Sequence, residues 1–94
     1  MEPLTKIQLS ELLYAKREDM SVVNSAMEYL DKIYHKYNVT ERQRNIKIFY
    51  LNVIEEYSCA ELGRLFDVSS MRVRTIVAIG ILTLRHREFL ESLR

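Results

Sequence analysis

Ninety-four residues make one domain of ordinary size, and a chain that short buries too little surface for a large multi-layer enzyme. Hydrophobic residues at 48% and charged ones at 29% lie well away from the composition of disordered chains, while two glycines and one proline supply few turns for a sheet, so long helices with short polar connections are expected. The single cysteine, Cys59, excludes an internal disulfide framework and a multi-cysteine zinc site, and a formal charge of +1 argues against a strongly basic nucleic-acid coat protein.

No apolar run approaches the ~18 residues that a membrane helix needs, and the first residues lack the basic-then-apolar layout of a signal peptide. The expected setting is the cytoplasm, without membrane association. A first helix is predicted over about Thr5–Glu18, with Ile7, Leu12, Leu13 and Tyr14 loosely on one side. A second, over about Ser21–Tyr37, places Val23, Met27, Leu30, Tyr34 and Tyr37 at helical spacing, and Asn38 is suited to the left-handed conformation that ends it. That stripe reads either as core or as a homodimer seam. Residues 1–39 thus form an N-terminal helical extension that packs on the rest or dimerises it.

A third helix is signalled by Thr40 as cap and Glu41 near the positive end of the macrodipole, with Ile46, Phe49, Tyr50, Val53 and Ile54 as its buried face. The acidic pair Glu55-Glu56 should end it. Ser58-Cys59-Ala60-Glu61 is a capping box, opening a short helix over Cys59–Phe66 with Leu62, Leu65 and Phe66 as its apolar side. Asp67-Val68-Ser69 is a turn signal, with Val68 as apolar plug and Ser69 as the next cap. From Ser70 to about His86 the chain is helical again, with Val73, Ile76, Gly80 and Leu84 repeating every three or four residues. Two helices joined by three residues, with Ala60 and Gly63 small enough for close crossing, predict a helix-turn-helix. The fold class is all-α, about five helices, with residues 40–94 as the helix-turn-helix domain.

At these residues the sequence resembles region 4 of bacterial sigma factors, the domain that reads the −35 promoter element, over about residues 39–86. The resemblance rests on Thr40-Glu41-Arg42-Gln43-Arg44, on the run Tyr57 to Ser69, on Arg72-Val73-Arg74-Thr75-Ile76 and on Leu84-Arg85-His86. It implies a helical fold that inserts one helix into the major groove of promoter DNA and packs on RNA polymerase, at the flap of its β-subunit. Carried over residue by residue, it implies DNA contacts for Arg72 and Arg74 and a base-edge position for Thr75. Arg42, Arg64 and Arg85 are expected near phosphates, and Ser70 is added as a DNA-facing residue.

The departures matter as much. Ser70 and Met71 stand where primary sigma factors carry an Arg-Glu pair, and Val77, Ile79, Leu82 and Thr83 stand at positions usually charged in the family. Met71, Thr75, Ile79 and Leu82 share one helical face, the face that would meet DNA, and such a stripe marks either a protein contact or core covered by the N-terminal helices. The chain holds no counterpart of the family's region 2, which melts the −10 element, so a complete sigma factor is not expected. What is expected is a regulator of the kind that phages and mobile elements encode, acting through DNA, polymerase or both. The alternative is a protein-interaction module, docking polymerase, a sigma subunit or its own twin through Met71, Ile79 and Leu82.

Charge supports a local reading. Residues 1–39 hold five basic and six acidic side chains, residues 40–94 nine and seven. Between Ser69 and Arg87 stand Arg72, Arg74, Arg85 and Arg87 with no acid, so the near-neutral total averages over unlike parts. Neither His35 nor His86 has a Cys or His partner at metal spacing, Asp31 and the Glu55-Glu56 pair lack a nucleophile or phosphate loop, and the six tyrosines fall at core-like spacing. No enzyme activity and no cofactor are expected.

Overall fold

The protein is described by a computed structural model that covers the backbone of residues 6–85 and the side chains of residues 8–85. It is a small all-α domain. Among the described residues there are five α-helices and no strands: α1 (Lys6–Ala15), α2 (Met20–Ile33), α3 (Val39–Val53), α4 (Cys59–Phe66) and α5 (Ser70–Leu84). Ile7, His86 and Arg87, used in the sequence argument, lie outside the described side chains.

Each helix after the first begins on a side-chain cap. Asp19 accepts the Ser21 amide at 3.1 Å and the Ser21 hydroxyl at 2.8 Å, which holds its carboxyl below the usual aspartate range. The α2 helix ends at Ile33 and a single 3₁₀ turn, Tyr34–Lys36, carries the chain on. Asn38, expected to close α2 in the left-handed conformation, instead has extended backbone and opens α3, its side chain accepting the Glu41 amide at 2.8 Å. Thr40, expected as that cap, lies inside the helix, because Asn38 two residues earlier already serves the free amide. At the far end Glu56 turns left-handed (φ 63°), and the Tyr57 amide donates to the Leu51 carbonyl at 3.0 Å, closing α3.

The α4–turn–α5 pair follows the sequence expectation in its boundaries. Ser58 and Glu61 form the reciprocal capping box. Asp67 takes the left-handed conformation (φ 56°) that reverses the chain, and Ser69 caps α5 by accepting the Arg72 amide at 3.0 Å. The glycine in this pair is needed for space: a Cβ on Gly63 would stand 2.7 Å from the Val68 carbonyl oxygen and 3.3 Å from the Ser70 amide nitrogen. Ala60 is exposed and takes no part in the crossing.

Helix α5 runs through the middle of the molecule and packs on each of the other four helices. Its buried side chains serve two clusters. Val73 and Ile76 join Ile48 and Leu62 in one, while Ile81 and Leu84 join Leu9, Leu13, Leu30 and Phe49 among others in the second. Gly80 lets α5 approach α3 so closely that Phe49 lies where a side chain would begin. The α2 stripe goes to the same core: Val23, Leu30 and Tyr34 are buried, and Met27 is half-buried. As a seam between two copies, that stripe is therefore corrected to an internal face, because three of its five named residues are buried by the chain itself and the other two, Met27 and Tyr37, pack partly buried against the same core. Leu65, expected on the buried side of α4, is 64% exposed, while Ile48 and Asn45 of α3 are buried without having been foreseen.

Candidate functional site

The site is the outward side of α5 and what borders it. With Val73, Ile76, Gly80, Ile81 and Leu84 turned inward, the opposite side of the helix carries Met71, Thr75, Ile79 and Leu82. Met71 is 71% exposed, Ile79 40% and Leu82 50%, so α1 and α2, which pack on other sides of α5, do not cover the stripe. The expectation that the N-terminal helices fold over it as core is corrected accordingly.

The arginines divide into outward and engaged. Arg64 ends α4 exposed, and Arg74 is exposed on α5; neither makes an ion pair among the described residues. Arg72 is also exposed, with its Nη2 4.0 Å from Glu41 Oε1, a loose pair linking α5 to the first turn of α3. Arg42 differs. Its side chain is only 19% exposed and its Nε lies 2.9 Å from Asp31 Oδ1, tying α3 to α2. Offered from the sequence as a phosphate contact, it is instead turned to the N-terminal helices. Arg85 is half-buried at the C-terminal cap of α5, where its amide donates to Ile81.

The polar groups of α5 are modest. Ser70 is exposed in the first turn, just beyond the Ser69 cap. Thr75 is outward as expected, but its hydroxyl donates to the Met71 carbonyl at 3.1 Å, so its donor is used within the helix and only acceptor capacity faces out. Thr83 does the same to Ile79 at 2.8 Å and also bonds Tyr34, partly offsetting the burial that pushes the Tyr34 phenol up. No Asp or Glu stands between Asp67 and Arg85.

Comparison with protein families, with curated proteins and with solved structures finds no match.

Other concavities offer less chemistry. An open cleft of about 480 Å³ between α2 and α3 has Met27, Ile46 and Tyr50 as its floor and Glu28, Asp31 and Lys47 at its rim. Of its two acids, Asp31 is held by Arg42. A second, polar hollow joins the end of α1 to the end of α3, where Tyr14 donates to Glu56 at 3.0 Å. Among the described residues no group of three His, Cys, Asp or Glu side chains is placed to hold a metal ion, and no helix is long and apolar enough to cross a membrane. Among the described residues, the exposed side of α5 is therefore a surface where exposed arginines and uncovered apolar groups meet.

Proposed function

We propose that this chain is a transcription regulator that uses α4, the turn and α5 as a helix-turn-helix in the manner of sigma region 4, acting at promoter DNA together with RNA polymerase. One observation carries the reading. The N-terminal half of α5, set by the Ser69 cap and the close Gly63 turn, stands outward with Ser70, Arg72, Arg74 and Thr75 exposed, on a helix without acids. In a helix-turn-helix it is this end of the second helix that reaches base edges, while flanking arginines fix register on phosphates. Arg64 at the end of α4 is the further phosphate contact.

The cationic surface is small, and a few arginines give a salt-dependent but weak hold on DNA. Tethering to polymerase at the flap of its β-subunit supplies the remaining occupancy by raising effective concentration. The setting is the cytoplasm of a bacterial cell, on a phage- or mobile-element-encoded chain. Fluorescence anisotropy with duplex DNA at several salt concentrations tests the reading. Wild type should bind with a negative log–log salt slope, and Arg72→Ala/Arg74→Ala should flatten that slope by about 2 if each arginine neutralises one phosphate. Absence of salt-dependent binding refutes it.

A second reading, a protein-interaction module docking polymerase, a sigma subunit or another copy, is favoured by the exposure of Met71, Ile79 and Leu82. Recovery of polymerase or a sigma subunit in a pull-down, without DNA binding, would select it.

A further inference from the structure

We propose that the outward face of α5 docks an amphipathic helix from a partner protein, one with an apolar seam bordered by acidic residues, and that this helix excludes duplex DNA from the same face. The docking stands on the exposed face of α5 itself, and the exclusion of duplex DNA rests on reading α5 as the helix that meets DNA.

Shape comes first. Met71, Thr75, Ile79 and Leu82 follow one another at steps of four, four and three, and from the first to the last they span about 16 Å along the axis. That is about three turns of uncovered methyl and thioether groups, the length over which a partner helix places its own i, i+3/i+4, i+7 anchors.

Charge then selects the partner. At ~100° per residue the seam's mid-line lies about 35° round from Met71, so Arg72 falls about 65° to one side of it and Arg74 about 95° to the other, and the stripe has a cation on each flank, the Arg72 border being the nearer. One border already receives a carboxylate from this chain, since Glu41 approaches Arg72. A second copy facing its own twin would set arginine-bordered seams against each other and bring like charges together. Duplex DNA satisfies the arginines but not the seam. Base edges ask for donors and acceptors, and between the two arginines the face offers Met71, Ile79 and Leu82, with the Thr75 donor already used. A helix with acidic borders and an apolar centre satisfies both.

The test uses the full chain and a synthetic helical peptide of about three heptads with leucine at the seam and glutamate along both borders. Two control peptides carry lysine for glutamate or serine for leucine. Binding is followed by anisotropy of labelled peptide and by methyl NMR of the protein. The glutamate peptide should shift the methyl signals of Met71, Ile79 and Leu82, and each control peptide should bind at least about tenfold more weakly. Leu82→Ser should weaken the glutamate peptide about tenfold, and so should Arg72→Ala/Arg74→Ala, with melting curves checking that each variant stays folded. Unlabelled peptide should displace any bound duplex.

Equal affinity for the lysine and glutamate peptides, shifts confined to the α2–α3 cleft, or no binding of the glutamate peptide would overturn the proposal. So would a wild-type dimer that Leu82→Ser dissociates, which would assign the seam to a second copy. Peptide binding without any DNA binding upholds the docking site and refutes the DNA reading, whereas DNA binding without peptide binding does the reverse.

Discussion

Replacing Gly80 by alanine tests whether the close crossing of α3 and α5 is as tight as it looks. The new Cβ would stand 2.7 Å from Phe49 Cε2 and 3.2 Å from Cγ, and closer still to Cδ2. Ordinary carbon contacts are ~3.5–4.0 Å, so the ring or the helix must retreat by roughly 1 Å. Phe49 is only 1% exposed and its ring is rigid, which leaves little room to yield. Overpacking of this kind costs about 1–3 kcal/mol, with a ring toward the upper end. Against it stands the better helix propensity of alanine, about 1 kcal/mol. The net expectation is a loss of about 1–2 kcal/mol, lowering Tm by at least about 4 °C in a domain of this size. Thermal melting followed by circular dichroism measures it. In a Phe49→Leu background the same change should cost less, because the smaller side chain frees the space. A Gly80→Ala protein as stable as wild type, or more stable, would refute the argument that the crossing is tight.

Gly63→Ala should be the harsher change, costing about 2–3 kcal/mol in urea unfolding, since its Cβ meets the backbone of Val68 and Ser70 rather than a side chain. Ser58→Ala removes one half of the capping box and should cost about 1 kcal/mol, measured the same way, with Ser58→Asp recovering most of it. Acid should loosen the start of α2. The Asp19 carboxyl is held lower in the folded chain than in the unfolded one, so its capping contribution is complete above the unfolded value and is lost as pH falls through the folded one, below about pH 4. The Ser21 amide signal should titrate with a midpoint under the ordinary aspartate range, and a midpoint at or above that range would contradict the cap.

The parts of the fold that were legible in the sequence are those specified by neighbouring residues. Ser58 with Glu61, and Ser69 before Ser70, set helix starts through bonds spanning three residues, and the boundaries of α4 and the start of α5 fall where those signals put them. Val73, Ile76, Gly80 and Leu84 were legible for the same reason, as one inward face. Asn38 was harder. Asparagine suits both the end of one helix and the start of the next, and the choice was settled by the geometry of the whole connection. What sequence could not give was which element covers which. The stripe on α2 and the stripe on α5 have the same spacing, yet one is buried and the other open, because α2 lies against α3 and α5 while the far side of α5 has no neighbour among the described residues. Arg42 was misassigned for a similar reason: its partner, Asp31, is eleven positions earlier and only folding brings it near. The outward seam itself, Met71, Ile79 and Leu82, was visible as a set, since it is what remains of α5 once the core positions are removed.

The division of the interior into two clusters makes α3 and α5 the elements that hold the molecule together. Both α3 and α5 pass through the two clusters, and Val77 touches each of them, while α4 belongs to one and α1 and α2 belong to the other. Helix α5 thus joins the two clusters through Val77: the end that carries Arg72 and Arg74 shares its cluster with α4, and the opposite end shares its cluster with α1 and α2.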